Sequence, residues 1–200
     1  TVSSWKLILT YDDSTASEPS PYSGSSFSTS GAGVTTSDLA ISDAGTITDI
    51  NVELNVTATN DNDNAIYYTD FKLISPYGTI VDLAVSSNFN NTYSLSATVL
   101  DDEATTTISS GSAPYFGNFQ PDGNLSDFDS QSMTGTWQLW IYSRQSSSSY
   151  SITVSSWKLI LTYNHTTPSD PSTIPGTTYT NSSSFSTSGA GVTTSNLAIS

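Results

Sequence analysis

Apolar and polar residues alternate with a period of two in much of the chain, and this pattern predicts β-strands. The segment TDINVELNVT at 48–57 has an apolar residue at every second position: Ile50, Val52, Leu54 and Val56. Such alternation places one face of a strand in a core and the other in water. No segment clusters good helix formers at the spacing of an α-helix. We therefore predict an all-β protein.

The segment TWQLWIY at 136–142 carries bulky residues on both faces of its predicted strand. Trp137, Leu139 and Ile141 lie on one face, and Trp140 and Tyr142 lie on the other. A strand with bulk on both faces is typical of the middle of a sheet. We predict a central strand here.

A third segment, YSITVSSWKLILTY at 150–163, shifts its apolar phase at Ser155 and Ser156. A one-residue shift turns every later side chain to the other face of the sheet, so the serine pair predicts a β-bulge. Turn-rich segments separate the predicted strands, the longest of them at 110–124. Many short strands with such turns indicate an antiparallel jelly-roll β-sandwich.

Two segments occur twice. TVSSWKLILTY at 1–11 recurs unchanged at 153–163, and SSFSTSGAGVTTSDLAIS at 25–42 recurs at 183–200 with Asn196 in place of Asp38. The starts of the first pair lie 152 residues apart (153 − 1). This period is too long for a solenoid repeat and is typical of independently folded units in series.

The repeats predict a domain organisation for a chain that we interpret as part of a longer protein. Residues 1–11 form the last strand of a preceding repeat, 12–24 a linker, 25–163 a complete β-sandwich, 164–182 a linker, and 183–200 the start of the following repeat. Both predicted linkers are rich in Pro, Ser and Thr, a composition typical of extended connectors. The protein is therefore expected to consist of beads on a string.

The strand at residues 1–11 lacks the rest of its predicted unit. Its residues Trp5, Leu7 and Leu9 share one face, and a single apolar strand is unstable in water. We expect it to insert into the sheet of a neighbouring unit, as in strand addition. Contacts of this head-to-tail kind propagate into open fibres.

The central unit carries a series of motifs in a fixed order. They are ISDAGTITDINVELNVT at 41–57, LISPYGT at 73–79, the acidic and turn-rich segment 100–128, GTWQLWI at 135–141 and SSWKLILTY at 155–163. The series resembles the P domain, also called the Homo B domain, of subtilisin-like proprotein convertases and of secreted bacterial proteases. The resemblance implies a jelly-roll β-sandwich that accompanies a protease, supports its folding and often binds calcium.

Calcium is the expected cofactor. Asp101, Asp102 and Glu103 match the acidic motif of the P domain, and Asp61 and Asp63 add carboxylates in the segment NDNDN. Calcium takes six to eight oxygen ligands, so two such loops could supply a site. In the alternative interpretation, NDNDN is a polar turn, and Asp102 or Glu103 caps a strand end by accepting backbone hydrogen bonds.

Catalytic residues are not evident. The one histidine, His165, lies in a predicted linker, where no nucleophile is held within hydrogen-bond reach. Asp122, Asp127 and Asp129 lie in turn-rich sequence without an apolar pocket that could raise the pKa of one of them. We expect no enzymatic activity.

The charge of the chain limits its partners. Four Lys and Arg residues oppose eighteen Asp and Glu residues, which gives a net charge of −14. Such a chain repels nucleic acids and anionic lipids, and no apolar run is long enough to cross a membrane. The expected partners are copies of the protein itself, neighbouring repeats and glycans.

Five segments fit the N-glycosylation pattern Asn-x-Ser/Thr, at Asn55, Asn90, Asn124, Asn164 and Asn181. Glycosylation at such a pattern requires export, so the predicted location is extracellular or on the cell surface. Two function classes stay open. One is a structural module of a tandem-repeat filament, stalk or adhesin, and the other is an accessory domain of a secreted protease or a glycan-binding jelly roll.

Overall fold

The computed structural model describes residues 19–59, 66–89, 94–147 and 150–165. These residues belong to one folded unit. Within them the chain forms β1 (Ser20–Gly24), β2 (Phe27–Ser30), β3 (Gly33–Ile41), β4 (Thr46–Ala58), β5 (Thr69–Ile74), β6 (Ile80–Ala84), β7 (Ser94–Leu100), β8 (Gly117–Phe119), β9 (Gly135–Ser143) and β10 (Ser151–Asn164). Four single 3₁₀ turns lie between strands, at Ile66–Tyr68, Ser86–Asn88, Ile108–Ser110 and Leu125–Phe128.

The strands form two sheets, which confirms the predicted β-sandwich. One sheet has the order β1-β10-β4-β7-β8, and β2 also pairs with β10 beyond the end of β1. The other sheet has the order β3-β9-β5-β6. All neighbours are antiparallel except β7 and β8, which are parallel. The single parallel pair departs from the purely antiparallel expectation because a long connection, rather than a hairpin, joins these two strands.

The predicted alternation in β4 and β9 is confirmed. Ile50, Val52, Leu54 and Val56 of β4 are all buried. Strand β9 lies between β3 and β5, so it is central in its sheet as predicted. Its inward residues are buried, whereas Trp140 on its outer face is half-buried.

The predicted bulge in β10 is also confirmed. Val154 lies opposite Val56 and Ser156 lies opposite Asn55, so Ser155 is an extra residue between two consecutive partners on β4. The extra residue restores the apolar face, because Val154 and Trp157 are both fully buried. The serine pair therefore turns the second half of the strand back toward the core.

The core lies between the two sheets, and two tryptophans are its largest side chains. Trp137 projects from β9 and Trp157 projects from β10, and both are fully buried. A buried indole N–H needs an acceptor. Trp137 Nε1 donates to the carbonyl oxygen of Met133 at 2.9 Å, and Trp157 Nε1 donates to Ser37 Oγ at 3.1 Å. Ser37 is part of β3, so the second bond joins the two sheets.

The folded unit begins earlier than the sequence predicts. Residues 20–24 fall within the predicted linker 12–24, but they form β1 and pair with β10 from Ser20 opposite Leu161 to Gly24 opposite Trp157. The segment 110–124, predicted as a turn, contains the short strand β8. Residues 1–11 and 183–200, together with most of both predicted linkers, lie outside the described residues.

The described Lys and Arg side chains all pair with carboxylates. Lys72 contacts Asp82, Arg144 contacts Asp70, and Lys158 contacts Glu53. The part of the chain that the structure covers therefore has no cluster of unpaired cations that could bind a polyanion. No helix of the described residues is long and apolar enough to cross a membrane.

Candidate functional site: the β10 position and the acidic loops

Strand β10 occupies an interior position of its sheet. It pairs with β4 along one side from Ile152 to Asn164. Along the other side it pairs with β1 and then with β2. The side chains of Trp157, Leu159 and Leu161 are fully buried. Strand β10 is therefore enclosed on both sides and does not lie at an open sheet edge.

Trp157 is the main anchor of β10. Its indole nitrogen bonds to Ser37, and Ser37 Oγ in turn donates to the carbonyl oxygen of Ser25 at 3.1 Å. The ring packs on Gly24, where an added Cβ would overlap the indole. Gly24 thus leaves room for the largest side chain of the strand. Sequence reasoning missed this role because Gly24 lies in a segment with linker composition.

Polar contacts on the outer face fix β10 as well. Lys158 Nζ donates to both carboxylate oxygens of Glu53, at 2.9 and 3.1 Å. Ser28 Oγ and Thr153 Oγ1 share a hydrogen bond of 2.9 Å. The ion pair is part-buried and the hydroxyl pair is exposed, and surface pairs of these kinds contribute little free energy. They form only in the observed register, so they favour this alignment of β10 over shifted ones.

Asn55 of β4 holds two bulges at once. Its Nδ2 donates to Ser156 Oγ at 3.0 Å, and Ser155 Oγ donates to its backbone oxygen at 3.1 Å. On the other side, its Oδ1 accepts from the backbone N–H of Ala97 at 2.8 Å. Ala97 has a positive φ of 46° and lies where the register of β7 shifts. Asn55 therefore makes hydrogen bonds at both bulges, where the regular ladder between strands is interrupted.

The hydrogen bonds of Asn55 bear on its predicted glycosylation. Nδ2, the atom that carries a glycan, donates to Ser156 Oγ and also to Glu53 Oε1 at 3.2 Å. A glycan would remove one of these bonds. Asn124 and Asn164, in contrast, are exposed. Asn90 and Asn181 lie outside the described residues, so accessible acceptor positions are found at Asn124 and Asn164.

The predicted inter-unit residues Trp5, Leu7 and Leu9 also lie outside the described residues. Their counterparts in the repeated segment are Trp157, Leu159 and Leu161, all of which are fully buried in an interior strand. The sequence of residues 1–11 is therefore suited to the same kind of interior position.

The two carboxylate oxygens of Asp102 cap a 3₁₀ turn. Oδ1 accepts from the backbone N–H of Leu125 at 3.0 Å, and Oδ2 accepts from that of Ser126 at 2.8 Å. These two N–H groups open the turn Leu125–Phe128 and have no partner within it. The capping interpretation of Asp102 thus describes its contacts, although it caps a turn rather than a strand end.

Asp101 and Glu103, the other predicted calcium ligands that the structure describes, bond to each other. Asp101 Oδ1 accepts from the backbone N–H of Glu103 at 2.8 Å, and its Oδ2 accepts from Asn118 Nδ2 at 3.3 Å. Asp61 and Asp63 lie outside the described residues. Among residues that the structure does describe, no three acidic or histidine side chains are grouped so that they could hold a metal ion. Calcium binding stays a prediction.

Replacing Asp102 by alanine is expected to lower the free energy of unfolding by about 1 to 3 kcal/mol, because two backbone donors lose their acceptor. Glu103→Ala is the matched control, since Glu103 is the exposed neighbouring acid and should change stability by less than about 0.5 kcal/mol. Urea unfolding of both variants measures the difference. Equal stabilities would contradict the capping role.

Several carboxylates around Asp49 repel one another. Burial raises the pKa of Asp49 above its ordinary value of 3.8, a hydrogen bond with the backbone of Ile50 lowers it, and the charges of Asp101 and Asp102 raise it further. Burial and the charges of Asp49 and Asp102 likewise raise the pKa of Asp129. A hydrogen bond with Asp101, followed by burial, raises the pKa of Glu103. This end of the sandwich is therefore destabilised while its acids are ionised.

Replacing Asp49 by asparagine is expected to stabilise the fold at pH 7 by up to about 0.5 kcal/mol. A carboxyl group whose pKa is raised by folding binds protons more tightly in the folded state, so its destabilising effect disappears as the pH falls. The gain from Asp49→Asn should therefore shrink between pH 7 and pH 4. Thermal melts over this range, with Asp38→Asn as the exposed control, measure it. A gain that grows toward pH 4 would show the opposite sign.

Of the acids considered for catalysis, Asp122 binds donors of a neighbouring loop, whereas Asp129 has a pKa raised by burial, so the expectation that burial raises none of their pKa values was wrong for Asp129. Asp122 Oδ2 accepts from the backbone N–H of Val85 at 2.7 Å and from Asn88 Nδ2 at 2.6 Å. Asp102 and Asp122 line one polar pocket of about 220 Å³, but their oxygens already bind loop donors. His165 is exposed next to Tyr163 at the end of β10.

Comparison with known proteins gives limited similarity. No family model and no curated relative matches the chain. A serine protease of Aeromonas sobria is similar in structure, with a TM-score of 0.40 and 13% identity over 74% of this chain and 28% of that chain. The complex of that protease with its chaperone gives a TM-score of 0.40 and 13% identity over 73% and 27% of the two chains. The chain thus spans about a quarter of the length of these structures.

Proposed function

We propose that the chain is a structural module of an extracellular tandem-repeat protein that forms a filament, stalk or adhesin. One observation carries the proposal: residues 1–11 repeat residues 153–163, most of an interior strand, including its buried Trp157. A strand that is apolar in this way is stable only inside a sandwich. A second copy of the strand therefore implies a second sandwich.

The duplication preserves both sides of a contact, which supports the same proposal. Trp157 bonds to Ser37 in the described unit. The repeated segments contain both partners again, as Trp5 and Ser195. Selection for a generic strand would not retain such pairs. Near-identical units in series suit a structural role.

Contacts between consecutive units would then run head to tail. Association between two different surfaces of identical units produces open chains instead of closed rings. The partners in this proposal are copies of the protein and neighbouring repeats. The exposed acceptor residues Asn124 and Asn164 are compatible with glycosylation on an extracellular surface, and no catalytic role is assigned to the unit.

Electron microscopy of the native material tests the array. We expect beads of one size at regular spacing along a thread. Isolated particles, each consisting of one sandwich attached to a larger globular domain, would contradict the proposal. Sedimentation velocity adds a second test, in which larger species should appear as the concentration of the full chain rises. The triple variant Trp5→Asp, Leu7→Asp and Leu9→Asp is expected to sediment as a monomer at every concentration.

Calcium is the proposed cofactor of the acidic loops and can be tested separately. Extracellular calcium modules bind with dissociation constants of about 0.1 to 1 mM. Addition of Ca²⁺ at about 1 mM should then raise the melting temperature of the full chain, whereas Mg²⁺ at the same concentration should not. Equal melting temperatures with and without Ca²⁺ would exclude binding in this range.

A second candidate function is the accessory domain of a secreted subtilisin-like protease or, less directly, a glycan-binding jelly roll. The ordered motifs that resemble the P domain favour the accessory role, and three of them lie on β4, β9 and β10. The sequence of the complete parent protein separates the two candidates. A subtilisin-type catalytic domain directly upstream would favour the accessory role and contradict the structural one.

A further inference from the structure

An amine, a carboxylate and a carboxamide meet on the outer face of the sheet that contains β4 and β10. Lys158 of β10 lies opposite Glu53 of β4, and Asn55 is the next residue on the same face of β4. Lys158 Nζ donates to Glu53 Oε1 at 2.9 Å, and Asn55 Nδ2 donates to the same oxygen at 3.2 Å. One carboxylate oxygen therefore holds the amine and the amide nitrogen next to each other.

The carboxamide of Asn55 is held at both of its polar atoms. Its Oδ1 accepts from the backbone N–H of Ala97 at 2.8 Å, and its Nδ2 also donates to Ser156 Oγ at 3.0 Å. A donor at a carbonyl oxygen stabilises the negative charge that develops there when a nucleophile attacks the carbon. The N–H of Ala97 therefore lies where an oxyanion on Asn55 would form.

Glu53 is placed to accept and to return protons. An ammonium group has to lose a proton before it can act as a nucleophile, and a carboxylate within hydrogen-bond reach can take that proton. Both oxygens of Glu53 accept from Lys158 Nζ, at 2.9 and 3.1 Å. The side chains of Lys158 and Glu53 are 36% and 19% exposed, so water is partly excluded from the pair. The same carboxyl group contacts the amide nitrogen that would leave.

We propose that Lys158 and Asn55 form an intramolecular isopeptide bond, with Glu53 transferring the protons. Glu53 takes a proton from the ammonium group, and the lone pair of Nζ forms a bond to Cγ of Asn55. The π electrons of the carbonyl group move to Oδ1, where the N–H of Ala97 stabilises the charge. As they return, the Cγ–Nδ2 bond breaks and Nδ2 takes the proton from Glu53, so ammonia leaves. Glu53 then removes the extra proton from Nζ and passes it to the ammonia, which departs as ammonium.

This bond has two consequences for the unit. It excludes the predicted glycosylation of Asn55, because both reactions use Nδ2. It also joins β4 to β10 covalently, so the chain between residues 55 and 158 becomes a closed loop. In the proposed array, tension that enters at β1 and leaves after β10 would pass through the link, and residues 56–157 would not extend. The reaction itself takes place within one unit and does not require the array.

Mass spectrometry of the full chain tests the proposal. We expect the purified chain to be lighter than its sequence requires by the mass of one ammonia molecule. Trypsin cleaves after Lys and Arg but not after a linked lysine, so digestion of the denatured chain should give a branched fragment in which residues 7–72 are joined to residues 145–200. An unreduced mass together with a free peptide 145–158 would overturn the proposal. Loss of ammonia without the branched fragment would overturn it as well, because the ammonia would then come from another amide.

Three variants assign the roles of the residues. Lys158→Arg keeps a cation beside Glu53 but cannot form the bond, and Glu53→Gln removes the proton acceptor, so both should retain the full mass. Lys72→Arg is the matched control, because Lys72 pairs with Asp82 beside Trp140, and it should lose ammonia as the wild type does. Loss of ammonia in Lys158→Arg, or undiminished loss in Glu53→Gln, would contradict the assignment. None of these outcomes alters the bead spacing in electron microscopy, so the bond and the proposed array can fail independently.

Discussion

Replacement of Trp137 by alanine is expected to lower the free energy of unfolding by about 3 to 5 kcal/mol. The side chain is fully buried, and its ring packs edge-on against Phe128 with centroids 5.2 Å apart. Its indole N–H also donates to Met133. Alanine would leave a cavity in the central strand and an unpaired carbonyl. Since domains typically have a free energy of unfolding of about 5 to 15 kcal/mol, the substitution would remove a large part of it.

Trp140→Ala is the matched control for this variant. Trp140 lies on the same strand but faces outward, and it contacts Lys72, whose Nζ is 5.5 Å from the ring centroid. The expected loss is about 1 kcal/mol, because the ring is half-exposed and the cation–π contact is weak in water. Chemical denaturation of both variants measures the difference. Equal losses would mean that the two faces of β9 are not buried as described.

Replacement of Gly24 by alanine is expected to lower the free energy of unfolding by about 1 to 3 kcal/mol. The added methyl group would overlap the indole of Trp157. The ring cannot rotate away without breaking its bond to Ser37, so β1 has to separate from β10.

Ser23→Ala provides the control for Gly24→Ala. Ser23 is the preceding residue of β1 and is exposed, so its replacement should change stability by less than about 0.5 kcal/mol. Tryptophan fluorescence during urea unfolding gives both values. If Gly24→Ala were as stable as Ser23→Ala, the indole would not rest on Gly24.

Much of the fold follows from local sequence patterns. The alternation in β4 required only that one face be apolar, and the bulky residues on both faces of β9 indicated a central position. The phase shift at Ser155 and Ser156 was sufficient to predict a bulge. In each case the signal lies within one strand, so it can be detected without knowledge of the neighbours.

Features that depend on distant partners were not predictable. Strand β1 has the composition of a linker, and it is ordered through contacts made elsewhere: Tyr22 donates to Asp43, and Gly24 receives the ring of Trp157. The parallel pairing of β8 with β7 likewise has no local signature. The role of Asn55 depends on two bulges in two other strands.

The acidic residues show the same limit. Composition alone left calcium binding and capping open for Asp102, and only the positions of Leu125 and Ser126 reveal which backbone groups its oxygens bind. The repulsion at Asp49 also arises between residues far apart in sequence. The charge pattern of the sequence identifies candidate acidic residues, whereas only the structure shows which groups they contact.

The extra residue in β10 has a consequence for the accuracy of assembly. A regular alternating strand can slip by two residues and still direct its apolar face inward. In β10 such a slip would move Ser155 and Ser156 away from Asn55 and break the hydrogen bonds that join them. Ser3 and Ser4 carry the same mark in the repeated strand. In the proposed array, where a misalignment at each junction between units would accumulate, this bulge would keep the spacing of the units constant.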